Sequence, residues 1–128
     1  MNTKFVLVSS AIFLGVLGLS LSFLPAEIAQ GFTINTALPF LWPLQLMGAL
    51  YFAFAMVNWV AKGAAIGGIY NRPVAIGNFT HFTIGALALL KSVASNHQMS
   101  PLILVLTGFY CGYAVLFGLI FFGNCLPR

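Results

Sequence analysis

The charged residues of this 128-residue chain are few, and they lie where long apolar stretches begin or end. They are Lys4, Glu27, Lys62, Arg72, Lys91 and Arg128. Each stretch is long enough for an α-helix, which rises about 1.5 Å per residue, to cross about 30 Å of hydrocarbon. The predicted helices cover about 5–24, 40–61, 73–92 and 101–123. The sequence therefore predicts an all-α membrane protein, an antiparallel bundle of four transmembrane helices in a single domain over residues 1–128.

The composition supports this prediction by an independent route. Charged residues make up 5% of the chain and apolar residues 61%, whereas about a quarter of the residues of a soluble domain are charged. The basic residues stand singly and form no patch, so we predict the lipid bilayer and no nucleic acid as a partner. With one acidic residue and no nucleophile–base motif, the sequence also predicts that the protein is not an enzyme.

The basic residues predict the orientation in the membrane. Lys4, Lys62, Arg72 and Arg128 fall on one side of the predicted membrane, and Lys91 falls on the other. Because Lys and Arg are enriched in cytoplasmic loops, we expect a multi-pass protein of the inner cell membrane with both termini in the cytoplasm.

Small residues recur four positions apart in the first and fourth predicted helices. The pairs are Ala11 with Gly15, Gly18 with Ser22, and Gly108 with Gly112. Such spacing lets two membrane helices approach closely, either within one chain or between chains. We therefore predict a homo-oligomer or a complex with another membrane protein.

Polar side chains of the second and third predicted helices fall at similar depth near the inner side. Asn58 lies about one turn before the end of the second helix, and Asn78 and His81 share a face of the third. A short connection makes the two helices neighbours, so we expect these three side chains to form one cluster. Its expected rim consists of Lys62, Tyr70, Asn71 and Arg72.

This Asn58/Asn78/His81 cluster has two interpretations. Polar groups in membrane bundles commonly form interhelical hydrogen bonds, which makes a structural clamp the first interpretation. Polar groups in the membrane also mark ligand and ion pathways, and histidine, with an ordinary pKa near 6.5, takes up a proton under mild acidification. The second interpretation is therefore a proton-responsive or ligand-binding pocket in the inner leaflet.

The sequence predicts no cofactor, with haem at His81 as the alternative. A second axial ligand at similar depth is needed, and His97 is expected on the opposite side of the membrane. Met47 and Met56 are the other possible ligands on paper. No Cys/His cluster with zinc-ligand spacing is present, so no metal is predicted.

The segment NWVAKGAAIGGIYNRPVAIGNFTHFTIGALALLK, residues 58–91, resembles a family of small bacterial four-helix integral membrane proteins without an assigned catalytic role. The size and layout of the chain are more loosely similar to DoxX-like proteins. Small multidrug-resistance transporters, by comparison, carry a Glu in the first helix, and 5–24 has none. The NFTHFT run at 78–83 faintly resembles the filter region of Fluc fluoride channels. The resemblance implies a four-helix membrane fold.

Two classes of function follow from these features. The first is a non-enzymatic accessory subunit or a small membrane protein that assembles with itself through its small-residue faces. The alternative is transport of a small solute or ion, or binding of a lipophilic ligand, through the Asn58/Asn78/His81 cluster.

Overall fold

The computed structural model describes residues 2–32, 36–63, 72–95 and 100–123. These residues are 93% helical, with five α-helices and no strand among them. The helices are α1 (Thr3–Phe23), α2 (Pro25–Gly31), α3 (Leu38–Ala61), α4 (Arg72–Ser95) and α5 (Pro101–Gly123).

Four of these helices are long and apolar enough to cross a membrane, namely α1, α3, α4 and α5. They hold 21 to 24 residues each, which corresponds to about 32–36 Å of helix. The prediction of an all-α protein with four candidate spans is confirmed. Their arrangement as one antiparallel four-helix bundle stays a prediction.

Proline residues set several of the helix boundaries. Pro25 follows the end of α1 and occupies the first turn of α2, and Pro101 is the first residue of α5. The lost amide hydrogen costs little there, because the first four N–H groups of a helix have no partner within the helix. Between the first two predicted helices, over 25–39, the structure forms the additional seven-residue helix α2. Glu27 lies in its first turn, where a negative charge is favoured.

The chain divides into two compact units, Met1–Gly63 and Ala64–Arg128. In the first unit α1 and α3 run antiparallel, since Gly18 lies beside Gly48 while Ser10 lies beside Asn58. Its buried apolar residues include Leu7, Leu14 and Leu21 of α1, together with Ala55 of α3.

Two glycines bring the backbones of α1 and α3 into direct contact. A Cβ built on Gly18 would lie 2.6 Å from the Phe52 nitrogen and 2.8 Å from the Gly48 oxygen. A Cβ built on Gly48 would lie 2.7 Å from the Ser22 nitrogen. No side chain fits at either position, so Gly18 and Ser22 serve a contact within the first unit.

In the second unit, α4 and α5 pack through aromatic rings. Phe82 is fully buried, and its ring centroid lies 4.9 Å from that of Tyr113, 5.3 Å from Tyr110 and 5.6 Å from Phe117. Phe79 stacks on Phe121 at 6.1 Å, nearer the C-terminal end of α5. The order of these contacts shows that α4 and α5 also run antiparallel. The prediction of a single domain over 1–128 stays a prediction.

Candidate functional site

Asn58 takes part in a buried hydrogen-bond chain of the first unit. Its Nδ2 donates to the hydroxyl of Ser10 at 3.1 Å, and Ser10 in turn donates to the Leu7 carbonyl at 3.0 Å. Asn58 and Ser10 are both fully buried. The bond joins α1 to α3, so Asn58 has a structural role within its own unit.

Ser10 is absent from the sequence-based set of site residues. A polar side chain in the middle of an apolar run is the sequence feature that could have indicated Ser10. A serine hydroxyl can, however, donate to a carbonyl of its own helix, as Ser9 does to Val6. Only the register of α1 against α3 reveals that Ser10 faces Asn58.

Asn78 is fully buried in the second unit. Its Nδ2 donates to the carbonyl of Val74, one turn earlier on α4, at 2.9 Å. The NH2 group of the Asn78 side chain therefore has a hydrogen-bond acceptor within α4. The predicted cluster of Asn58 with Asn78 and His81 draws on both units, and it stays a prediction.

His81 pairs with Tyr110 of α5. The tyrosine hydroxyl lies 3.4 Å from His81 Nε2, and the two ring centroids are 5.6 Å apart. His81 is half-buried and also contacts the edge of Phe82. Its position in α4 lies about 14 Å along the helix from Arg72 and about 21 Å from Ser95. The pair is therefore far from both ends of a candidate membrane span.

Tyr110 is held in place by Gly85 and Phe82. Its side chain is almost completely buried, and its ring occupies the space in which a side chain at Gly85 would begin. Sequence reasoning missed both Tyr110 and Gly85. The signal for Tyr110 was a hydroxyl in an apolar helix, but its proximity to His81 depends on the register of α4 against α5.

The His81–Tyr110 contact allows a hydrogen bond in either direction. A phenol hydroxyl is both a donor and an acceptor, whereas each imidazole nitrogen is one or the other according to the tautomer. The tyrosine can donate to a bare Nε2 or accept from a protonated Nε2. Such a pair suits a proton or a neutral hydrogen-bonding ligand.

The predicted rim residues have separate surroundings. Lys62 follows the end of α3, and its Nζ lies 2.9 Å from the ring centroid of Trp59, a cation–π arrangement. Arg72 is exposed at the start of α4. Tyr70 and Asn71 lie outside the described residues.

Of the four predicted packing residues, two contact other residues of the first unit and two are exposed. Ala11 is buried in the first unit, and a Cβ on Gly15 would lie 3.7 Å from that of Ala55, an ordinary contact. Gly108 and Gly112 are exposed on α5, and a Cβ at either position would meet no described atom within 4 Å. These two glycines therefore serve no close approach between the described helices of this chain.

Among the described residues, no group of three or more His, Cys, Asp or Glu side chains is placed to hold a metal ion. His97, which the sequence placed on the outer side, lies outside the described ranges. The absence of a cofactor, with haem at His81 as the alternative, stays a prediction.

Comparison with protein-family models, curated protein sequences and solved structures gives no match to this chain. The four apolar helices define a class, that of multi-pass integral membrane proteins. The resemblance of residues 58–91 to a four-helix bacterial family stays a prediction.

Proposed function

We propose that this protein is a non-enzymatic subunit of the inner membrane that assembles with another membrane protein or with copies of itself. The observation that carries the proposal is the exposed α5 face around Gly108 and Gly112. In an apolar helix, two glycines four residues apart form a shallow groove into which a second helix packs.

Four other glycines of the spanning helices differ from these two. Gly18, Gly48, Gly85 and Gly118 each lie against described atoms of their own unit. Gly108 and Gly112 lie in open space, flanked by exposed Leu104, Val105 and Phe109. The packing among the described residues gives these two glycines no close contact, and a contact with another helix would use both.

Replacing both Gly108 and Gly112 with Leu fills this groove. We expect the assembled species in mild-detergent extracts to shift to a lower mass on sizing, while helix content and thermal stability stay unchanged because both positions are exposed. Ala88→Leu places a leucine at an exposed position of α4 and serves as the control. A wild-type chain that runs as a monomer, or a double variant with unaltered mass, contradicts the proposal.

The second candidate function is a proton-responsive or lipophilic-ligand site, and the His81–Tyr110 distance of 3.4 Å favours it. Ionisable groups in a membrane are rare, and they mark relays and binding sites more often than other residues do. The Asn58–Ser10 bond favours the structural interpretation of Asn58 instead, which places this candidate second.

Titration of the His81 ring tests the second candidate. If the site responds to protons, its ring resonances in NMR shift between about pH 5 and 8, and Tyr110→Phe changes the midpoint because the partner hydroxyl is lost. His81→Gln abolishes any pH-dependent signal and keeps the fold. A ring that does not titrate in this window, together with unaltered behaviour of the Gln variant, leaves only the structural interpretation.

The proposal includes an antiparallel four-helix bundle with both termini in the cytoplasm. Its support is the distribution of Lys4, Lys62 and Arg72 at one end of the candidate spans and Lys91 near the other end. The layout agrees with the DoxX-like resemblance.

A further inference from the structure

Two lysines lie opposite each other at one end of the first unit, although they are far apart in the sequence. The contact of Gly18 with Gly48 fixes the register of the antiparallel helices α1 and α3. Lys4 lies 14 residues before Gly18, and Lys62 lies 14 residues after Gly48. Fourteen residues are close to four turns of an α-helix, so each lysine lies on the same side of its helix as the glycine. Lys4 and Lys62 therefore stand at the same level on the packing faces of α1 and α3.

The two helices stay packed up to this pair of lysines. Leu7 and Ala61, each within one turn of a lysine, are both buried. Lys4 itself is exposed, and Lys62 is half-buried with its Nζ over the ring of Trp59. Both lysine side chains are thus accessible, at least in part, from outside the first unit.

No acidic side chain of the sequence balances this pair of positive charges. The one acidic residue is Glu27, which lies in α2, beyond the other end of α1 and about 30 Å away along that helix. The charged residues of the second unit, Arg72, Lys91 and Arg128, are all basic. A second copy in the same orientation holds its own Glu27 at the far end as well. Side chains of this protein therefore do not supply the balancing charge.

We propose that Lys4 and Lys62 together bind the headgroup phosphate of an anionic phospholipid. Each ammonium group carries three donors, and lysine binds phosphate as a point charge on a flexible stem. Two lysines at the same level on adjacent helices can donate to different oxygens of one phosphate. Such a site compensates both charges with one ligand.

The position of the lysines favours a lipid as the source of the phosphate. They lie at the ends of two candidate membrane spans, where headgroups are found. Exposed Phe5 and Val60 are their neighbours in sequence and offer apolar contacts to acyl chains. Trp59, one turn before Lys62, is of the residue type that is enriched at the membrane interface.

Quenching of Trp59 fluorescence by brominated lipids tests this site in the full-length chain. Trp42→Phe leaves Trp59 as the one tryptophan of the protein, beside Lys62. Titration of detergent micelles with brominated phosphatidylglycerol and, separately, brominated phosphatidylcholine gives the ratio of the two affinities. We expect phosphatidylglycerol to bind roughly 25-fold more tightly, because each lysine near an anionic headgroup contributes roughly fivefold. Lys4→Gln and Lys62→Gln should each lower the ratio roughly fivefold.

Three controls distinguish this site from general surface charge and from a free anion. Lys91→Gln removes a lysine of the second unit and leaves the ratio unchanged. Lys4→Gln combined with Phe5→Lys keeps the net charge but moves the lysine about 100° around α1, so the ratio stays at that of Lys4→Gln alone. Millimolar inorganic phosphate, compared with sodium chloride of equal ionic strength, leaves the lipid preference in place.

Equal affinity for the two lipids overturns the proposal, and so does a preference that survives the double replacement of Lys4 and Lys62 by Gln. Full preference in the variant with Phe5→Lys shows that net charge is sufficient, which overturns it too. Loss of the preference in inorganic phosphate assigns the lysines to a free anion instead of a lipid. The proposed assembly fails on a different result, an unaltered mass of the double glycine variant, because the lysine site uses the first unit alone.

Discussion

Replacing Gly18 with Ala is expected to destabilise the first unit by about 1–3 kcal/mol, the range seen when atoms are forced into a packed core. The new methyl group meets the backbone of α3, at 2.6 Å from the Phe52 nitrogen and 2.8 Å from the Gly48 oxygen. Backbone atoms cannot rotate away as a side chain can, so α1 and α3 have to separate. This cost outweighs the gain of about 1 kcal/mol in helix propensity.

Gly15→Ala is the matched control on the same helix. Its methyl group would lie 3.7 Å from the Ala55 Cβ, a normal contact distance, so we expect no loss and a gain of up to about 1 kcal/mol. Unfolding in mixed micelles, followed by circular dichroism, measures both changes. Equal stability of the two variants would falsify the close approach of α1 and α3 at Gly18.

Replacing Gly85 with Ala is expected to have a comparable effect in the second unit. The added methyl group overlaps the ring of Tyr110, which is almost fully buried and packs on Phe82, so the ring is displaced from α4. We expect a loss of about 1–3 kcal/mol and a change in the NMR signals of His81, because the tyrosine hydroxyl moves with its ring.

A double-mutant cycle identifies the cause of this loss. Tyr110→Ala alone removes a buried ring at a cost of about 3 kcal/mol, and adding Gly85→Ala to it costs little more because the overlapping ring is gone. The coupling energy should therefore be close to the full cost of Gly85→Ala. Gly15→Ala, which makes only an ordinary contact at 3.7 Å, is the control and should be neutral or slightly stabilising. Additive effects at 85 and 110 would contradict the contact.

The four candidate spans were predictable because a charge in hydrocarbon carries a large penalty, and the charged residues fall near the boundaries. Proline was a weaker guide, because Pro101 begins α5 whereas Pro43 lies inside α3. The helix α2 was harder to predict, because seven residues give too short a pattern for periodicity. Glycine spacing within α1 pointed to a close contact at Gly18. It did not point to Gly48, because spacing along one helix contains no information on the register of its neighbour.

The contact partner of His81 was also not predictable from the sequence. His81 was singled out because an imidazole in an apolar span is unusual, and that reasoning needs no partner. The proximity of Tyr110 follows from aromatic packing between α4 and α5 around Phe82, with Gly85 providing the space. Such packing depends on the fit of whole rings, which composition and periodicity do not describe.

The division into two helical hairpins has a consequence for how the protein is made. The contacts of α1 with α3 involve only residues from Met1–Gly63, so the ribosome has synthesised everything they need before it makes α4 and α5. Because local contacts form quickly and the N-terminal part of a chain emerges first, the first hairpin can pack in the bilayer during translation. The polar side chains of Asn58 and Ser10 are then satisfied by each other within the first hairpin and require no group of α4 or α5.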